Sequence, residues 1–224
     1  MKNKFLLLVL VSLLIPLLSS CTKPHSIILE DSTCSPPCWK SIHPGTTQVK
    51  DAVQILKSMQ EVHFPPSFYE RDTDKGEGFF SWFFDGSVPE SSGRIYFHNH
   101  LVTKIRFNTK HLTFGDVVSK LGDPAQFLAV SGWADTQWLE IFLIYPSSGI
   151  VVTYYKSYFW GSDNGQFDLV DDLRVFSILY FNPELYSEVL ITDVFNRTLA
   201  DHTTLTDNLQ DWDGFGTIEY LNEE

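Results

Sequence analysis

The chain of 224 residues predicts an α+β fold made of two similar units, each a helical segment packed on an antiparallel sheet. Three observations carry the prediction. Apolar residues recur twice at helical spacing, and Asp51-Ala-Val-Gln-Ile-Leu56 aligns with Asp116-Val-Val-Ser-Lys-Leu121, Asp51 falling on Asp116. Each helical stretch is followed by segments rich in β-branched and aromatic residues that end in turn signals. Hydrophobic residues at 43% and aromatics at 15% supply a core and argue against disorder.

The fold is preceded by an export segment. Lys2 and Lys4 form a basic start, and Phe5 to Leu18 run apolar except for Ser12 and Pro16. A bilayer-spanning helix needs about 20 apolar residues, so residues 1–20 read as a signal peptide. Leu18-Ser19-Ser20-Cys21 resembles the bacterial lipobox. The resemblance implies acylation of Cys21 and cleavage before it, which makes the lipid bilayer a partner through acylated Cys21. The expected location is a bacterial membrane: the periplasmic side of an outer membrane, or the outer face of the cytoplasmic membrane in a single-membrane cell. Removing residues 1–20 takes away two lysines and no acid, leaving 14 basic against 28 acidic residues. A surface this acidic repels nucleic acid and anionic headgroups.

Residues 21–33 read as a lipidated tether. With Cys21 acylated, Cys34 and Cys38 remain, and export makes a structural disulfide the expected state. The alternatives are a redox pair or a metal site. Against them stand the lack of a βαβ pattern around the pair and of any characteristic spacing to His25 or His43.

The first unit is placed at 34–110. Pro44-Gly45 makes a turn, Thr46 or Thr47 caps a helix, and Val49, Ala52, Val53 and Leu56 form its apolar face. After Phe64-Pro-Pro66 come strands. "GFFSWFFDG" is nearly continuous and aromatic, and a hairpin turns at His98–His100. Phe79, Phe83, Ile95, Phe97 and Phe107 are assigned to the core.

The second unit, 111–181, repeats the order. Thr113 caps a helix with Val117, Val118 and Leu121 on one face, and Gly122 stops it. "WLEIFLIYPSSG", "GIVVTYYKSYFWG" and "LRVFSILYFNP" follow as strands, with Phe142 and Tyr180 in the core. Residues 182–224 form a C-terminal extension, with a short helix after Pro183 and a strand around Thr217 to Leu221.

"LTFGDVVSKLGDP", Leu112 to Pro124, resembles the glycine–threonine, Leu-Gly-x-Pro signature of SmpA/OmlA (BamE)-type outer-membrane lipoproteins. The tandem arrangement is similar to β-lactamase-inhibitor-like proteins. Both resemblances imply a non-enzymatic protein that works by contact. The first unit keeps the Gly-Thr-Thr opening but lacks the Leu-Gly-x-Pro ending.

No catalytic constellation emerges: there is no nucleophile elbow, phosphate-cradling loop or His-Glu-x-x-His. His98 and His100, joined by His63 or His111, are the best metal candidates, yet they sit at a bend where side chains splay. Asp168, Asp171, Asp172, Asp207, Asp211 and Asp213 do not space as an EF-hand and read as solvated turns. No metal or other cofactor is expected. Trp82, Trp133, Trp138 and Trp160 are the candidate binding residues, because tryptophans on a sheet make protein-contact anchors and could stack on sugars. The expected function is that of a non-catalytic envelope lipoprotein that binds or scaffolds an envelope protein partner. The alternatives are an envelope-polymer hydrolase, a thiol-redox protein, or a sugar or small-ligand binder.

Overall fold

The computed structural model describes residues 26, 28–29, 33–72, 76–84, 90–133, 136–157, 165–194 and 206–222, without the side chains of 64–72 and 133. It is a mixed α+β fold with three α-helices and a large, mostly antiparallel sheet among the described residues.

The first described residues lie in the core. Ser26 Oγ donates to Glu90 Oε1 at 2.6 Å, Ile28 is buried, and the Tyr180 hydroxyl donates to the Ile28 carbonyl at 3.4 Å. Part of the stretch expected to be a tether is therefore core. Cys34 and Cys38 are disulfide-bonded. Lys40 and Ser41, both at positive φ, then make a tight turn closed by reciprocal Trp39–Ile42 hydrogen bonds. That turn delivers Trp39 and Ile42 to the interior, where both are fully buried.

Helix α1 spans Val49–Ser58 and buries Ala52 and Leu56. Its N-cap is Gln48, without a side-chain bond. Thr47, an expected cap, instead accepts from the His43 amide through its hydroxyl at 2.7 Å. Four antiparallel strands follow: β1 (Val62–Asp72), β2 (Glu77–Phe84), β3 (Glu90–His98) and β4 (Leu101–Thr109). Asn99 and His100, both at positive φ, form the two-residue β3–β4 turn, as the hairpin signal predicts. A register shift in β4 lets both Val102 and Ile105, three positions apart, face the core.

Helix α2 (Phe114–Leu121) starts in a full capping box, Thr113 bonding the Asp116 amide and the Asp116 carboxylate bonding the Thr113 amide. Strands β5 (Gln126–Trp133), β6 (Gln137–Tyr145), β7 (Ile150–Ser157), β8 (Gln166–Leu169) and β9 (Ser177–Phe181) follow. Where each unit is expected to carry its own antiparallel sheet, one continuous sheet forms, in the order β1-β2-β3-β4-β9-β7-β6-β5. Strands β4 and β9 pair antiparallel at its centre.

The described residues of the C-terminal extension pack on this sheet, extend its edge and build a second, small sheet. A turn at Pro183–Leu185, helix α3 (Tyr186–Val189) and a π-turn (Leu190–Val194) make one helical segment. Strands β10 (Gln210–Asp211) and β12 (Leu221–Asn222) both pair with the outer edge of β5, covering hydrogen-bonding groups that would otherwise invite association. Strand β11 (Gly216–Glu219) pairs with β8 in a separate two-stranded sheet.

Two cores result. One face of the long sheet packs on α1 and α2, with a ring cluster at its centre. Trp39 stacks on Trp82 at 6.0 Å and meets Phe107 edge-on at 4.7 Å, while Phe84 and Tyr180 contact the same group. On the opposite face, Leu128, Val130, Phe142, Ile144, Val151, Leu179 and Phe181 pack beneath Val189, Leu190 and Val194. Buried on both sides, β6 and β9 need the continuous apolar runs that the sequence gives them.

Candidate functional site

The helical segment after β9 covers only the β5–β9 half of its face. Over β2 and β3, and over β4 beyond the Asp193 contacts, no described helix covers the same face. Its composition follows from pairing, since residues opposite one another across strands share a side. Phe79, Tyr96 and Lys104 form one row; Ser81, Arg94 and Arg106 form the next; Phe83 and Ser92 form a third. Phe83 is 65% exposed.

Cations lie on the rings of this surface. The Arg94 guanidinium sits 4.5 Å from the Phe79 ring centre and 5.9 Å from that of Tyr96, and its Nε donates to Ser81 Oγ at 2.9 Å. Lys104 Nζ lies 5.5 Å from the Tyr96 ring. Such contacts are attractive because the ring face carries the negative end of the aromatic quadrupole. They also hold Arg94 flat, so that an exposed cation is presented in a fixed orientation.

At the seam between open and covered halves, Asp193 of the π-turn pairs with Lys104 at 2.7 Å and Arg106 at 3.0 Å. The Asp193 side chain is 9% exposed, so this pair of contacts is shielded from water. Beside the seam runs a groove of about 970 Å³. Phe79, Tyr96, Thr103 and Lys104 line the sheet side, and Leu185, Glu188 and Val189 the helical side. At its mouth the Glu77 carboxylate meets His98 Nδ1 at 2.5 Å. Aromatic floor, apolar wall and charged rim suit recognition of an amphipathic surface.

The tryptophans expected to bind divide differently. Trp82 is 1% exposed and enclosed by Trp39, Phe80, Phe84 and Phe107, so it offers nothing to a partner. Trp138 is half-buried and packs against the second core, its ring lying over Gly132. Trp133 ends β5, and its side chain, like Trp160 and Cys21, lies outside the described residues. Phe83, assigned to the core from sequence, is instead the most exposed large hydrophobic residue described, and Phe79 is half-buried on the same side.

Among the described residues the histidines do not converge. His98 pairs with Glu77, whereas the His100 ring packs over Gly76. Among the described residues no group of three or more His, Cys, Asp or Glu side chains is placed to hold a metal ion. Asp168 accepts a hydrogen bond from Thr217 at 2.7 Å across β8 and β11.

One contact is marked by no ligand spacing in the sequence: His43 Nε2 lies 3.3 Å from Cys38 Sγ. The turn at Pro44-Gly45 folds His43 back toward the cystine, so the relevant clue was the turn and not a ligand spacing. No helix among the described residues is long and apolar enough to cross a membrane. The chain matches no protein-family model, no curated protein and no solved structure.

Proposed function

We propose that this chain is a membrane-anchored, non-catalytic lipoprotein of the bacterial envelope that works by binding another envelope protein. The lipobox-like Leu18-Ser19-Ser20-Cys21 supports the anchor. The observation that carries the binding reading is the open face of β2–β4, where exposed Phe83 lies beside an exposed arginine fixed on two aromatic rings. Aromatic and arginine side chains together are the residue types that dominate protein interfaces. On a chain of formal net charge −12, a displayed guanidinium selects a partner offering a carboxylate next to an apolar anchor.

In this reading α1 with β1–β4 and α2 with β5–β9 are two related units joined edge to edge through β4 and β9. The second unit has its outer face covered by the helical segment 183–194, and the first leaves its equivalent face for a partner. The likeness of Leu112–Pro124 to contact-forming outer-membrane lipoproteins agrees with this assignment.

The test is affinity purification of tagged, lipidated protein from gently solubilised native membranes, beside a Phe83→Ala/Arg94→Ala double variant. Both residues are exposed, so the variant keeps its fold. An envelope protein recovered with the wild type and lost from the variant supports the reading. Equal recovery with both proteins, or none with either, sinks it.

A further inference from the structure

The two sulfurs of the Cys34–Cys38 disulfide are not equivalent. Cys34 is partly exposed, whereas Cys38 is 4% exposed and lies 3.3 Å from the Nε2 of His43. His43 is itself exposed, yet its backbone is held. Its amide donates to the Thr47 hydroxyl at 2.7 Å, and its carbonyl accepts from the amides of Thr46 and Thr47. The imidazole is thereby kept beside the buried sulfur.

The ring these cysteines close is very short, with a sequence separation of four. A crosslink of that span restrains little of the unfolded chain, so stapling is a weak account of it. In thiol–disulfide exchange an incoming thiolate attacks one sulfur and expels the other. The rate rises as the expelled thiolate becomes less basic. A neighbouring histidine lowers that basicity by donating to the sulfur. The arrangement thus marks one sulfur for attack and the other for departure.

We propose that the Cys34–Cys38 disulfide is a thiol–disulfide exchange site whose substrate class is an exposed dithiol, with Cys34 attacked and Cys38 leaving. The dithiol's thiolate bonds to Cys34 Sγ. The Cys34–Cys38 bond breaks, its electron pair goes to Cys38, and the new thiolate takes a hydrogen bond from His43. The second thiol loses its proton to solvent and attacks the dithiol's own sulfur in the mixed disulfide. Cys34 is released as a thiolate, and two electrons have passed from the dithiol, now a disulfide, to the protein. This inference is independent of the binding face on β2–β4.

Two probes on the full chain test it. Reduced glutathione, a monothiol, is used to trap the mixed disulfide, which is quenched in acid and mapped by mass spectrometry; the adduct is expected on Cys34. Dithiothreitol then gives the reduction rate at neutral pH for wild type, His43→Ala and His43→Gln. Histidine loss is expected to slow reduction about ten-fold, and glutamine, which keeps a donor, to restore part of it. Thermal midpoints should coincide, because a merely structural histidine would move stability and not the site of attack. As a further readout, Cys38 in a Cys34→Ser variant should form its thiolate below the usual cysteine value of about 8.5, and His43→Ala should raise it. Glutathione found on Cys38, or equal rates with and without His43, overturns the proposal. So does reduction that proceeds only as fast as global unfolding.

Discussion

Two glycines lie directly across a strand from tryptophans, and the difference between them is measurable. A Cβ on Gly93 would come within 2.0 Å of the Trp82 ring, and one on Gly132 within 2.6 Å of the Trp138 ring. Trp82 is locked at 1% exposure, while Trp138 is half-buried and has room to swing out. Gly93→Ala should therefore cost about 3 kcal/mol in denaturant unfolding and Gly132→Ala about 1 kcal/mol. Equal losses would show that Trp82 is less confined than its packing indicates. The same strand shows where sequence reading ran out. "FFSWFF" is aromatic at five of its six positions and polar at one, so nothing local tells which face is inside. A shift of one residue reverses every side chain. Trp82 and Phe84 point inward because they meet Trp39 and Phe107, partners distant in sequence, and Phe80 packs beside Trp82 on the same buried side. In β3 and β4 hydrophobic residues are spaced by polar ones, and there Ile95, Phe97 and Phe107 were legible as core.

At the scale of elements, α1 and α2 were legible because each carries its own apolar stripe, and α2 its own cap and stop. The helical segment 183–194 was legible only as a short helix after Pro183. Its role depends on Val189, Leu190 and Val194 reaching the second core, and on Asp193 reaching two cations on β4. In sequence Asp193 is one acid among 28 acidic residues. It nonetheless clamps the segment to the sheet. Asp193→Ala leaves Lys104 and Arg106 partly buried without their carboxylate and should destabilise the fold by about 2–3 kcal/mol. Hydrogen exchange should then quicken first in the amides of 186–194, since a local unit opens before the whole. Uniform acceleration across the sheet would mean that the segment is not separately clamped. The edge strands β10 and β12 were the least legible elements, being two residues each and defined only by the strand they join.

For the whole molecule, the class α+β was legible, while the single sheet was not, since β4–β9 pairing joins residues some seventy positions apart with no local signal. Its cohesion has a pH signature. Tyr145, Tyr154 and Tyr186 all hold their protons more tightly than a free tyrosine, chiefly through burial, and the Asp123 carboxylate adds to the effect at Tyr145. A raised folded value means stability is intact below the unfolded value of about 10 and falls as pH climbs past it. Urea midpoints should hold steady up to that pH and drop above it. Tyr145→Phe should start lower by about 1 kcal/mol, having lost the hydroxyl's bond to the Gly122 carbonyl, but fall less steeply. A parallel decline would assign the alkaline loss to other groups. The docking of Ser26 and Ile28 into the fold has a consequence for where the molecule can stand. An acyl group on Cys21 would have five residues to reach Ser26, at most about 18 Å of chain. So short a leash would moor the domain against the headgroups, unable to sample the compartment above. A binding partner would then have to come down to the bilayer, and the encounter would be a search in two dimensions.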